Sequence, residues 1–140
     1  MKGLPNLIRL HKWRLDEKRR DLAELERLAD ELKERARRLE EEIRSEQGVA
    51  KASPDAAFGY ANYAEAAIGR RSKIAATLAE VKARISTAAA EVTAQFQELK
   101  RLEIAQTHRE QAERQREAKA ERAMYDELGL AAHQRRNRGA

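Results

Sequence analysis

Leu15, Leu22, Ala29, Ala36 and Ile43 recur every seven residues, and Leu25, Leu32 and Leu39 fill the positions between them. Steps of three and four of this kind gather apolar side chains on one stripe of an α-helix, the seam of a coiled coil. The same register reaches back to Ile8 and predicts a first helix from about residue 4 to about residue 46. The stretch "EQGVAKASPDAAFG" then breaks the pattern. Within it, Ser53-Pro54-Asp55 reads as a helix N-cap, a proline at the first helical position and an acid in the first turn. The chain is therefore predicted to turn over residues 47–53 and to begin a second helix at about residue 54.

The second helix has its own seam of Tyr60, Ala64, Ala67, Ile74, Leu78, Val81, Ile85, Ala88, Val92, Leu99 and Leu102. A connection this short makes its neighbours antiparallel. The predicted fold is all-α, an elongated antiparallel two-helix coiled-coil hairpin. Folding the chain about residue 50 sets Leu22 near Leu78, Leu15 near Ile85 and Ile8 near Val92, and it brings Leu32 and Leu39 against Ala64 and Ala67. Large then faces small, as close packing between helices requires.

The two helices are predicted to differ in length. The first runs out opposite about Phe96 to Leu99. The second meets no stop signal until Leu128-Gly129, where glycine can cap a helix. Beyond Leu102 the seam would hold Gln106, Arg109, Glu113, Arg116, Ala120 and Ala123, so residues 100–128 are expected to overhang without a partner from this chain. Their composition agrees, because "AQTHREQAERQREAKAER" contains nothing more apolar than alanine and nothing that breaks a helix. The charges along it are sorted, with Glu103, Glu110, Glu113, Glu117 and Glu121 on one side and most bases around the rest. A solitary helix of this kind is only marginally stable in water, with pairs such as Glu110 and Arg114 adding a few tenths of a kcal/mol. Something else is expected to hold it.

Composition narrows the function. Charged residues make up 38% of the 140, aromatics 4%, and glycine and proline number 6 and 2, a profile of long helices and not of a globular enzyme core. There is no cysteine, hence no disulfide, thiolate nucleophile or Cys-ligated metal. The N-terminal segment lacks the apolar run of a signal peptide, and no segment approaches the roughly 20 apolar residues of a membrane span. A soluble, unexported protein of reducing surroundings is expected. The net charge of +5 is small against 29 bases and 24 acids, and only "AAHQRRNRGA" is basic without interleaved acids. That end, residues 129–140, is expected to be a basic flexible tail; a weak, non-specific and salt-dependent contact with nucleic acid is the other reading of it. His11, His108 and His133 lie on separate segments without companion ligands, and no phosphate loop or nucleophile motif is present. The chain reads as a non-enzyme with no cofactor.

The few aromatics cluster beside the turn as "FGYANYAEAA". Tyr60 and Tyr63 belong to the seam or its flank, while Phe58 points outward. This group either seals the hairpin tip or offers a knob to a partner. Leu10 and Trp13 lie three apart on the face away from the seam, an apolar pair that is either incidental or a second partner contact.

Three stretches, "LIRLHKWRLDEKRRDLAELE", "FGYANYAEAAIGRR" and above all "FQELKRLEIAQTHREQAERQREAKAERAMYDELGL", resemble the flagellar export protein family FliJ. The resemblance covers nearly the whole chain. It implies a cytoplasmic component at the base of the flagellar type III export apparatus, an antiparallel coiled coil similar to the shaft of rotary ATPases. It also implies as partners a hexameric export ATPase and the cytoplasmic domain of the export-gate membrane protein, export chaperones being a further class, with membranes reached only through partners. On that footing the overhang is expected to engage the ATPase, with Glu103, Arg109, Glu110, Glu113, Arg114, Arg116, Glu117, Glu121, Asp126 and Glu127 as contacts. Phe58, Tyr60 and Tyr63 would face the export gate. The competing readings are a generic coiled-coil adaptor, an injectisome stalk and the weak nucleic-acid binder.

Overall fold

The computed structural model describes residues 3–139. Helix α1 spans Leu4–Ala52 and helix α2 spans Pro54–Arg138, an all-α hairpin whose second helix is the longer. Ser53 alone joins them. Pro54 has no N–H to give and its ring clashes with a preceding helical turn, so it cannot continue α1. At the first position of α2 the same ring is harmless, because that N–H would lack a helical partner anyway. The Ser53 carbonyl accepts the Ala57 N–H at 3.1 Å, which starts the α2 ladder, and Asp55 lies in its first turn.

Both helices run further than the sequence pattern marks out. α1 does not stop at residue 46 but continues to Ala52, and the predicted seven-residue turn shrinks to one residue. Gly48 makes that last stretch less favourable by about 1 kcal/mol relative to alanine, which is not enough to break a helix flanked by Gln47, Ala50, Lys51 and Ala52. α2 likewise passes through Gly129 and ends at Arg138. No glycine among the described residues has positive φ, so Gly129 forms no left-handed cap. The segment expected to be a flexible tail is helical through residue 138, and Arg135, Arg136 and Arg138 in its last turn complement the negative end of the helix dipole.

Contacts divide the chain into two compact units, Trp13–Phe96 and the segments that flank it. In the unit Trp13–Phe96 the seam is where the heptads place it. Leu15, Ala29, Leu32, Leu39 and Ile43 of α1 are buried together with Ala67 and Val81 of α2. Leu22, Leu25, Tyr60, Tyr63, Ile74, Leu78, Ile85, Ala88 and Val92 are half-buried beside them. Two clusters form: Ala29, Leu32 and Val81 with Leu78 and Ile85 packed on them, and Leu39, Ile43 and Ala67 with Tyr63 and Ile74. Full burial of one such aliphatic side chain contributes about 1.5 to 3 kcal/mol.

The register differs from the expected one. Leu78 packs on the cluster of Ala29, Leu32 and Val81, and Ile43 joins Leu39 and Ala67. Leu39 clusters with Ala67 as expected, whereas Leu32 clusters with Ala29 and Val81 and not with Ala67. The cause is the corner: placing it at Ser53 instead of about residue 50 slides α2 along α1. Three ion pairs between the helices fit the new offset, Lys18 to Glu91 at 3.3 Å, Arg71 to Glu40 at 2.8 Å and Arg70 to Glu42 at 3.8 Å.

In the other unit, Ile8 of α1 and Leu99 of α2 are buried, with Leu4, His11, Leu102, Glu103 and Gln106 half-buried. Pro5, Ile8, Arg9 and Lys12 share a groove with Gln106. Among the described residues beyond Gln106, only Ala131 is less than exposed. The exposed stretch of α2 therefore begins at Thr107, not at residue 100.

Candidate functional site

Residues 107–138 extend for about 50 Å at the helical rise of 1.5 Å per residue. Alanine, glutamate, glutamine, lysine and arginine dominate the first half of this stretch, and these residues lose little on entering a helix. Arg114 reaches Glu110 at 3.9 Å one turn back, and the Thr107 hydroxyl donates to the Glu103 carbonyl at 3.0 Å. These local contacts are surface interactions and cannot substitute for a buried face.

The expected contact residues do not all belong to one surface. Glu103 is half-buried within the paired stretch, 3.7 Å from Lys100, and so falls outside the free helix. Arg109, Glu110, Glu113, Arg114, Arg116, Glu117, Glu121, Asp126 and Glu127 are all exposed. At 100° per residue, Glu110, Glu113, Glu117 and Glu121 fall on the side of α2 that carries Leu99 and Gln106, so an acidic ladder continues the face that α1 covers earlier.

That ladder leads into an apolar patch which the sequence reading missed. Met124, Leu128 and Ala131 follow at steps of four and three on the same side, with Tyr125 at its edge. Met124 is 58% exposed, Tyr125 64% and Leu128 61%. Their spacing is the signal in the sequence, one position off the expected seam through Ala120 and Ala123. On this side the free part of α2 is acidic, then apolar, and its last turn carries Arg135, Arg136 and Arg138.

At the corner, Phe58 is 91% exposed and seals nothing. Tyr60 and Tyr63 behave differently, half-buried with ring centroids 6.2 Å apart. Tyr63 packs on the Leu39, Ile43 and Ala67 cluster, and its hydroxyl is buried without a hydrogen-bond partner. Burial raises the Tyr63 phenol above its ordinary value of 10.0, and the Glu42 and Glu46 carboxylates push it the same way. Of the expected gate-facing residues, only Phe58 is wholly available. Leu10 and Trp13 are each exposed, at 40% and 55%.

Among the described residues no group of three or more His, Cys, Asp or Glu side chains could hold a metal ion, and no helix is long and apolar enough to cross a membrane. His133 lies 3.3 Å from Asn137 on its own helix.

The fold is an all-α helical hairpin with a long exposed helix whose charges are sorted by side. The family described as "Flagellar FliJ protein" matches residues 1–138, and the chain belongs to that family. It is therefore a flagellar export-associated protein, in a family that is a non-catalytic component of flagellar biogenesis and protein export and has protein partners within that machinery. No curated protein and no solved structure matches the chain significantly.

Proposed function

We propose that this protein is the ATPase-associated stalk and chaperone escort of a flagellar export apparatus, working in the cytoplasm at the base of the apparatus and linking a hexameric export ATPase to the cytoplasmic domain of the export gate. The observation that carries this reading is the bare helix at residues 107–138, exposed almost throughout and laddered with Glu110, Glu113, Glu117 and Glu121. A rod end that works inside a ring of subunits needs length, stiffness and charge without a continuous apolar stripe that would lock it to one subunit. The ladder meets that need, and the short patch at Met124, Tyr125 and Leu128 provides one anchoring point at its far side. Arg109, Arg114, Arg116, Asp126 and Glu127 complete the surface presented to the ATPase.

Deleting residues 107–140 tests the assignment. The truncated protein is expected to remain a helical hairpin by circular dichroism and to lose association with the export ATPase in co-purification, together with any stimulation of hydrolysis. Undiminished association would overturn it. Beside the corner, Phe58 is the proposed contact for the export gate, with Tyr60 and Tyr63 supporting the turn that presents it. Phe58→Ala is expected to weaken gate binding while leaving ATPase association and the helical signal unchanged. An unaltered gate titration would remove the corner from the proposal.

A further inference from the structure

Within the unit Trp13–Phe96, α1 and α2 leave an open groove of about 710 Å³ between Asp21–Leu28 and Glu80–Glu91. Its apolar lining comes from Leu25, Leu28, Ala83 and Ala88 together with Thr87, whose hydroxyl already donates to the Ala83 carbonyl at 3.3 Å. A pair of helices buries side chains only along its seam line. Leu28 stands three residues past Leu25, off that line, and α2 has nothing larger than alanine and threonine to lay over it. Leu28 is consequently 38% exposed.

The rim is mostly acidic. Asp21 and Glu24 on α1 and Glu80 and Glu91 on α2 surround the groove, against the single guanidinium of Arg84. Arg84 is taken up by Glu80 at 3.4 Å, and Lys18 reaches Glu91 at 3.3 Å. Among the described residues Asp21 and Glu24 have no ion-pair partner. An apolar floor between carboxylate walls recognises the inverse pattern.

We propose that this groove docks a basic amphipathic helix of a partner protein, which completes a local three-helix bundle by laying a leucine-type ridge on Leu25 and Leu28 and lysines or arginines on Asp21, Glu24 and Glu80. The length fits helix-in-groove recognition, since the groove runs for about two to three helical turns. Apolar contact supplies the affinity, and the carboxylates set the charge class and the orientation. This surface is separate from the one assigned to residues 107–138.

The test uses the full chain and a designed 18-residue helical peptide with leucines at steps of three and four and lysines elsewhere, compared with a counterpart in which glutamate replaces every lysine. The lysine peptide is expected to bind, the glutamate peptide not. Leu28→Lys, at a partly exposed position that leaves the helical signal intact, is expected to weaken the lysine peptide at least tenfold. Thr87→Lys, fully on the surface, is expected to act in the same direction, and Asp21→Asn with Glu24→Gln to weaken it several-fold and flatten its salt dependence. Glu113→Lys with Glu117→Lys, on the acidic ladder, is expected to leave binding unchanged. The proposal is overturned if Leu28→Lys and Thr87→Lys bind like the parent, if the glutamate peptide binds equally, or if the ladder variant abolishes binding. It is overturned in favour of a second copy of this chain if sedimentation shows self-association that Leu28→Lys removes.

Discussion

Residues 13–96 and residues 107–138 are both almost wholly helix, both rich in charge and both supported by ion pairs one turn apart, yet they differ in how much apolar surface they cover. In the first region Leu15, Leu32, Leu39 and Val81 are withdrawn from water, and three ion pairs cross between helices. In the second, Met124, Tyr125 and Leu128 stand in solvent. Helix propensity is much the same in both; burial is not. A helix without a covered face is a structural offer to another molecule, because its own local contacts contribute only tenths of a kcal/mol each.

The largest expected effect separates the regions by one type of mutation. Leu32→Ala is expected to destabilise the protein by about 2 to 5 kcal/mol in denaturant titrations followed by circular dichroism, whereas Met124→Ala should change stability by no more than about 0.5 kcal/mol. Comparable losses at both sites would end the distinction.

Hydrogen exchange offers a finer view. Amides of residues 107–138 are expected to exchange faster than those of the seam by on the order of a hundredfold or more, and to become protected when the export ATPase is added. Protection of the free helix without a partner would show that it is held by its own chain.

The offset between the helices can be probed through Lys18 and Glu91. Each charge reversal alone, Lys18→Glu or Glu91→Lys, is expected to lower stability by about 1 kcal/mol or less, as for other exposed pairs. The double reversal should restore it, and no coupling in this cycle would count against the register.

The smallest effect concerns pH. Tyr63 has a phenol pKa raised above 10.0 in the folded chain, chiefly by burial. As pH rises, the unfolded chain ionises first, so the stability associated with the neutral phenol is complete below pH 10 and is lost above it, as pH climbs through the raised folded-state value. Tyr63→Phe should remove this alkaline sensitivity and, having no unpartnered hydroxyl to bury, should be at least as stable at neutral pH. An unchanged alkaline melting profile would place the sensitivity elsewhere.

Much of the fold was legible residue by residue. Heptads at Leu15, Leu22 and Leu25 and at Ile74, Leu78 and Val81 marked which side of each helix would be covered, and Pro54 marked where the chain must bend. Less of the candidate site was legible. The acidic ladder is readable from spacing, but Glu103 lies beside paired residues and not on the free helix, and the patch at Met124 and Leu128 stands off the heptad seam that continues through Ala120 and Ala123. Phe58 was placed outward by periodicity alone, whereas the separation of Phe58 from its half-buried tyrosine neighbours needed coordinates.

By itself, then, the sequence determined that this protein makes two helices, where they part and which faces turn inward, because those properties depend on neighbours three and four residues away. Tertiary structure decided how far one helix slides along the other. A heptad seam looks alike after every step of three or four, so periodicity cannot choose among offsets; the one-residue corner at Ser53 and the cross-helix ion pairs do. That choice put Leu78 on the cluster of Ala29, Leu32 and Val81, left Leu28 uncovered above alanines, and left α2 exposed from Thr107 onward.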